Sequence, residues 1–169
     1  MNVNNNIVLI GMPASGKSTI GVILAKAIGF DFVDLDILIQ TGENKTLAEI
    51  ISDKGIKGFL KIEEDYLVKA NFNKFVIAPG GSAVYSDKGI KHLSKQSIIV
   101  YLQLSLKYLE ERLLSLDERG VVRKAGQSIA VLFNERKILY EQYADITINC
   151  DSLTPDQIVS QLIKELPNP

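Results

Sequence analysis

The hydrophobic residues of this chain fall into short dense blocks separated by longer stretches in which they recur every three or four positions. Ile7-Val8-Leu9-Ile10, Phe75-Val76-Ile77-Ala78 and Ile98-Ile99-Val100-Tyr101-Leu102 carry no charged or amide residue at all. Uninterrupted runs of this length predict strands covered on both faces. Two further strands are expected at Phe30-Asp31-Phe32-Val33-Asp34 and Asp145-Ile146-Thr147-Ile148-Asn149. Between them the pattern predicts helices. The first covers residues 19–28 and stops at Gly29, a residue suited to the left-handed turn after a helix. A short helix begins at residues 37–40 and is expected to end at Gly42. Thr46-Leu47-Ala48-Glu49 has the capping-box form, so a helix is expected from there to Asp53. A break is expected between Gly55 and Gly58, followed by a helix over residues 59–70. Later helices are expected from Ser105 to about Leu116, over residues 127–143, and from Thr154-Pro155, where proline is tolerated in the first turn.

Buried strands alternating with helices imply a three-layer α/β/α fold with a five-stranded parallel sheet. Ligands of such sheets bind beyond the carboxyl ends of the strands. With 169 residues and no internal repeat, a single domain spanning residues 1–169 is expected. Hydrophobic residues at 46% and charged residues at 23% fit an ordinary globule. The formal charge of −1 argues against bulk nucleic-acid binding. Cys150 is the single cysteine, which excludes an internal disulfide, and is expected to close a late strand as a small apolar residue. His92, the single histidine, is expected at the surface. Residues 1–6 have neither a basic nor an apolar character, so no signal peptide is expected. No apolar run approaches the roughly 20 residues that span a bilayer, and a cytoplasmic location is expected.

One segment carries specific chemistry. Gly11-Met12-Pro13-Ala14-Ser15-Gly16-Lys17-Ser18 matches G-x-x-x-x-G-K-[ST] and lies between the first strand and the first helix. A tight glycine loop there turns backbone N–H groups toward one point, and the helix N-terminus adds positive potential. Lys17 can reach β- and γ-phosphates and the Ser18 hydroxyl can ligate Mg²⁺.

Other candidates cluster at strand ends. Asp34 and Asp36 form D-x-D, and if both belong to the strand they share a face. One carboxylate can then hold the Mg²⁺ shell while the other accepts a proton from an attacking hydroxyl; Asp36 as an N-cap of the next helix is the structural alternative. Gly80 and Gly81 permit close approach of backbone to a ligand. Residues 117–126 form a charged, glycine-containing loop with the character of a mobile lid. An arginine from such a loop can stabilise a migrating phosphoryl group. Arg119 and Arg136 are candidates, and Arg123 is expected to be solvated.

Taken together these segments resemble the shikimate kinase family of phosphate-loop folds. The resemblance rests on residues 11–19, Val33-Asp34-Leu35-Asp36, Gly58-Phe59-Leu60-Lys61-Ile62-Glu63, Pro79-Gly80-Gly81-Ser82-Ala83-Val84, Arg119-Gly120-Val121-Val122 and Asn134-Glu135-Arg136-Lys137-Ile138-Leu139-Tyr140. It implies transfer of the γ-phosphate of ATP to the 3-hydroxyl of shikimate, with Mg²⁺, by a monomer or weak dimer whose partners are small molecules. Gly11, Ala14, Ser15, Gly16, Lys17, Ser18 and Thr19 would hold the nucleotide, with Arg112 flanking the adenine. Ser18 and Asp34 would serve the metal. Asp36 would bind acceptor hydroxyls and act as base, Arg119 would cover the phosphates from a lid at about 116–127, and Lys17 would complete the catalytic set. The acceptor would lie against helices within residues 34–70, with Gly80, Gly81, Ser82 and Arg136 contacting it.

Three positions depart from the family pattern. Leu60 stands where the G-F-R-x-x-E motif has an arginine that joins Arg136 on the acceptor carboxylate. Ser82 replaces the third glycine of G-G-G, and Gly120-Val121-Val122 replaces P-L-L in the lid. A charged hydrogen bond contributes about 1.5–3 kcal/mol, so losing the arginine weakens shikimate binding by about tenfold to a hundredfold. Lys61 points about 100° away around a helix and does not replace it. A kinase for another polyol, sugar acid or hydroxy amino acid, and a nucleotide-binding module with little turnover, are the alternatives.

Overall fold

Asn6 starts the first strand as a buried residue whose polar atoms are both used. Its Nδ2 donates to the Phe72 carbonyl at 2.8 Å and its Oδ1 accepts from the Phe75 N–H at 3.0 Å. This pairing locks the first and third strands in register before their apolar runs begin. In a computed structural model, which describes residues 5–114 and 122–167, β1 (Asn6–Ile10), β2 (Asp31–Asp34), β3 (Phe75–Ala78), β4 (Ser97–Gln103) and β5 (Ile146–Asn149) form one parallel sheet in the order β2-β3-β1-β4-β5. The five-stranded α/β architecture expected from the pattern is the one observed. β1 is central, and all its residues are buried.

The helices are α1 (Lys17–Ile28), α2 (Leu35–Glu43), α3 (Leu47–Lys69), α4 (Asp87–Ser94), α5 (Leu106–Leu114), α6 (Ile129–Tyr143) and α7 (Pro155–Glu165). Gly29 ends α1 in the left-handed region, and capping boxes at Thr46 and Thr154 start α3 and α7. Gly55, at φ 69°, kinks α3 into two arms. Gly58 does not break it. Gly42 does not end α2 either; Asn44 does so, at φ 52°. The Tyr66 side chain of α3 packs directly over Gly42, where a Cβ would meet its hydroxyl. The apolar pattern also missed α4 and the one-turn 3₁₀ helix Ala83–Tyr85 before it. The available signal was Ser86, whose side chain accepts from the Gly89 N–H and caps α4. His92 lies on α4 and is half-buried, its Nε2 2.8 Å from the Ala70 carbonyl at the end of α3, rather than free at the surface. Cys150 is buried directly after β5, as expected.

Two apolar clusters result. The large one lies on both faces of the sheet. The small one consists of Ile39, Ile50, Phe59 and Val122, with Leu60 among its partly buried neighbours. It joins α2 and both arms of α3 to the chain just after residues 115–121, so the elements above the sheet have a core of their own. No helix among the described residues is long and apolar enough to cross a membrane.

Candidate active site

The loop between β1 and α1 turns back on itself through a Ser15 N–H to Met12 carbonyl bond of 3.1 Å. Gly16, at φ 96°, occupies the N-cap of α1 in a conformation that disfavours side chains. Gly11, at φ 151°, has the Leu102 carbonyl 2.8 Å from where a Cβ would stand. Both glycines of the loop pattern are therefore required by backbone and space. Lys17 folds over the loop, and its Nζ donates to the carbonyls of Gly11 at 3.0 Å and Met12 at 2.9 Å. Burial lowers its pKa to about 8, against the opposing pull of the Asp36 and Asp34 charges. An ammonium with this cost of burial favours an anion beside it.

Ser18 Oγ donates to Asp34 Oδ2 at 2.6 Å. Asp34 is the last residue of β2 and also the N-cap of α2, its Oδ1 accepting from the N–H groups of Asp36 and Ile37 at 2.9 and 3.3 Å. Asp36 lies in the first helical turn. The expectation that both carboxylates share one strand face is therefore corrected, because the chain turns into a helix between them. The capping role falls to Asp34, which leaves Asp36 available to a ligand.

Asp36 Oδ1 is buried without a hydrogen-bond partner, and so is Oε1 of Glu63 on α3. Burial raises the Asp36 carboxyl to about 6 and the Glu63 carboxyl to about 7. The floor between them is Gly80, where a Cβ would stand 2.6 Å from Asp36 Oδ1 and 2.7 Å from Glu63 Oε1. Gly81 continues this floor under Arg136, whose Nη1 is 3.1 Å from the corresponding Cβ position. Arg136 is 1% exposed. Its Nη2 donates to the Val122 carbonyl, its Nε donates to the Tyr85 hydroxyl at 3.3 Å, and its guanidinium lies over the Tyr85 ring. Tyr140 holds the floor from behind by donating to the Gly81 carbonyl at 2.7 Å.

A cavity of about 1310 Å³ is lined by Lys17, Ser18, Asp34, Asp36 and Arg136, but not by Glu63. Its lining includes Ala14, Gly16, Lys17, Ser18, Thr19, Asp34, Asp36, Gly80, Gly81, Ser82 and Arg136, so most of the candidates chosen from sequence meet in one space at the carboxyl ends of β1, β2 and β3. Arg112 reaches the same loop, with Nη1 donating to the Ala14 carbonyl at 3.1 Å. Arg123 lines the cavity and is half-buried, which corrects the expectation of a solvated side chain. Arg119 lies outside the described residues. Leu60 is placed with the small apolar cluster, and it is the adjacent Phe59 that forms cavity wall. Glu63, not selected from sequence as a site residue, is the notable addition. Its signal was its place in the acceptor-helix motif.

The shikimate kinase family profile matches residues 13–167. A shikimate kinase of Thermodesulfovibrio yellowstonii is 37% identical over 163 residues, covering 95% of this chain and 94% of that one. The chain belongs to the shikimate kinase family. A shikimate kinase of Persephonella marina is 33% identical and covers 94% of this chain and 96% of its own length. Among solved structures, the shikimate kinase from Acinetobacter baumannii in complex with shikimate superposes with a TM-score of 0.82 at 25% identity, covering 96% of this chain and 93% of that one. As a member of the shikimate kinase family, the chain is an ATP-using phosphotransferase with an alcohol group as acceptor, in agreement with a cavity lined by the phosphate loop and by Asp36.

Proposed function

We propose that this enzyme transfers the γ-phosphate of ATP to a hydroxyl of shikimate. The observation that carries the reading is the bare Asp36 Oδ1 above Gly80, in one cavity with Lys17, Ser18 and Arg136. The nucleotide phosphates lie on the loop of residues 11–19, with Arg112 beside the base. The acceptor lies over Gly80, Gly81 and Ser82, with its carboxylate toward Arg136. Asp36 takes the proton of the attacking hydroxyl, the new oxygen–phosphorus bond forms at the γ-phosphate, and the bond to the bridging oxygen breaks to release ADP. A carboxyl raised to about 6 is a stronger base than an ordinary aspartate and still ionised at neutral pH. Lys17 leaves the loop carbonyls to follow the charge on the migrating group, and Arg119 closes over it from the lid.

The residues present fit Mg²⁺. A hydroxyl and a carboxylate oxygen 2.6 Å apart, Ser18 Oγ and Asp34 Oδ2, stand beside the phosphate cradle. Mg²⁺ held on phosphates needs only one or two protein ligands, which agrees with the absence, among the described residues, of any group of three or more His, Cys, Asp or Glu able to hold a metal. When bound, the ion neutralises phosphate charge. The single domain, with acceptor helices at 34–70 and a lid at about 116–127, operates in the cytoplasm as a monomer or weak dimer.

A second reading, a related and less anionic polyol as acceptor, is favoured by Leu60, which joins an apolar cluster and leaves Arg136 to hold a carboxylate without a second arginine at that position. Coupled ADP-release assays with shikimate and a panel of polyols, sugar acids and hydroxy amino acids decide between them. Turnover at low shikimate KM supports the first reading. Preference for another acceptor supports the second, and nucleotide binding without acceptor-dependent turnover overturns both.

A further inference from the structure

The guanidinium of Arg136 is held by the protein at two of its three nitrogens. Nε donates to the Tyr85 hydroxyl at 3.3 Å, and Nη2 donates to the Val122 carbonyl. Two acceptors on one planar group fix its rotation. Nη1 is the third nitrogen and lies over Gly81, 3.1 Å from where a Cβ would stand. The Tyr85 ring covers a face of the same guanidinium, with its centroid 5.2 Å from the central carbon. Tyr85 therefore meets Arg136 twice, once through its hydroxyl and once through its ring. Arg136 lines the cavity, whereas Tyr85 stands behind it and does not.

The Tyr85 hydroxyl accepts from Arg136 because its own proton is engaged elsewhere. It donates to Glu135 Oε1 at 2.6 Å. Glu135 precedes Arg136 on α6, and its Oε2 accepts from Gln127 Nε2 at 3.0 Å. Gln127 Oε1 accepts in turn from the Lys124 N–H at 3.2 Å. The bond from Tyr85 holds the Glu135 carboxyl below its ordinary pKa. An ionised carboxylate cannot donate, so the phenol proton points to Glu135 and the phenol lone pair is left for Arg136. A hydroxyl that donates to a carboxylate is also polarised, which strengthens it as an acceptor for a cationic N–H.

Orientation of this one guanidinium carries more weight because residue 60 is leucine and supplies no second one. A binding group acts at full strength only when its own rotamer is locked by the residues around it. Resting on the acceptor site proposed above, we propose that Tyr85 is a positioning residue: it fixes the plane of Arg136 so that Nη1 is presented to an acceptor carboxylate over Gly81, and Glu135 orients the Tyr85 hydroxyl for that task.

The test is steady-state kinetics of the full chain, unmodified and as Tyr85→Phe, Tyr85→Leu and Glu135→Leu, with shikimate and its uncharged methyl ester as acceptors. Urea midpoints monitor the fold. Tyr85→Phe keeps the ring over Arg136 and removes the hydroxyl. It is expected to raise the shikimate KM about 3–10-fold, the loss of one hydrogen bond, with kcat and the KM for ATP within a factor of about two. Tyr85→Leu removes the ring contact as well and is expected to raise the shikimate KM about 10–30-fold. Glu135→Leu, on an exposed part of α6, leaves the tyrosine in place and is expected to raise it about threefold, which keeps the assignment testable if the Tyr85 variants fold poorly. KM for the methyl ester is expected to stay unchanged in all three, because it offers no anion for Arg136. An unchanged shikimate KM, or an equal rise for shikimate and its ester, overturns the assignment of Tyr85 and leaves the proposed reaction standing. Absence of shikimate turnover by the unmodified protein, with ADP still bound in calorimetry, overturns the proposed acceptor and this assignment together.

Discussion

Ser18 Oγ and Asp34 Oδ2 are joined by a 2.6 Å hydrogen bond, and the other oxygen of the same carboxylate caps α2. One side chain thus ties the phosphate loop to the start of the acceptor helices. Its two duties respond differently to substitution. Asparagine caps a helix about as well as aspartate, whereas alanine costs about 1 kcal/mol. Asp34→Asn is therefore expected to keep its urea midpoint within about 0.5 kcal/mol yet lose about 100-fold in kcat. Asp34→Ala is expected to lose both. Equal activity in Asp34→Asn and the unmodified enzyme would remove the metal role.

Lys17 Nζ donates to two loop carbonyls. Lys17→Ala is expected to abolish phosphoryl transfer, a loss of at least about 100-fold in kcat, while the circular dichroism spectrum and thermal midpoint stay close to those of the parent. Burial of this ammonium outweighs its attraction to Asp36 and Asp34, so its removal relieves a net cost to the fold. An unchanged kcat would refute the phosphate-loop assignment.

The neighbouring carboxyls of Asp36 and Glu63 give the protein a pH signature. Burial raises Asp36 from 3.8 to about 6 and Glu63 from 4.5 to about 7. Between roughly pH 4 and 7 the native state holds protons that the unfolded chain has released, so stability falls as pH rises through this window and does not return above it. Together the two shifts correspond to roughly 6 kcal/mol. Glu63→Gln is expected to be more stable than the parent at pH 8 and to show a shallower decline from pH 5 to 8, measured by urea denaturation at each pH. A parent whose stability rises across that interval and is unaffected by Glu63→Gln would contradict the burial of this pair.

A methyl group on residue 80 would stand 2.6 Å from Asp36 Oδ1 and 2.7 Å from Glu63 Oε1. Gly80→Ala is expected to lower kcat/KM for the acceptor by at least about 100-fold, with KM for ATP within a factor of about two. Equal losses for both substrates would point to a general disturbance of β3 instead.

Leu60 is half-buried on the small apolar cluster, next in sequence to the cavity wall at Phe59. Leu60→Arg is expected to raise kcat/KM for shikimate about tenfold, through a second guanidinium on its carboxylate. An unchanged value would show that the acceptor pocket has adapted to the leucine in further ways.

Much of this was legible in one dimension. The buried strands, the alternation that makes a parallel sheet, the glycine loop and the caps at Thr46 and Thr154 are local: each follows from the preferences of a few adjacent residues for a backbone conformation, a partner a turn away, or removal from water. Those features determined the fold and the place of the phosphate loop on it. The remainder depended on which residues distant in sequence face one another. Gly42 looked like a helix stop and is instead a space for Tyr66; Asp34 and Asp36 looked like one strand face and are divided by a helix start. The convergence of Asp36 from α2, Glu63 from α3 and Arg136 from α6 on two glycines after β3 was decided only by packing. Desolvation and like-charge repulsion arise from that proximity, and no pattern along the chain encodes them.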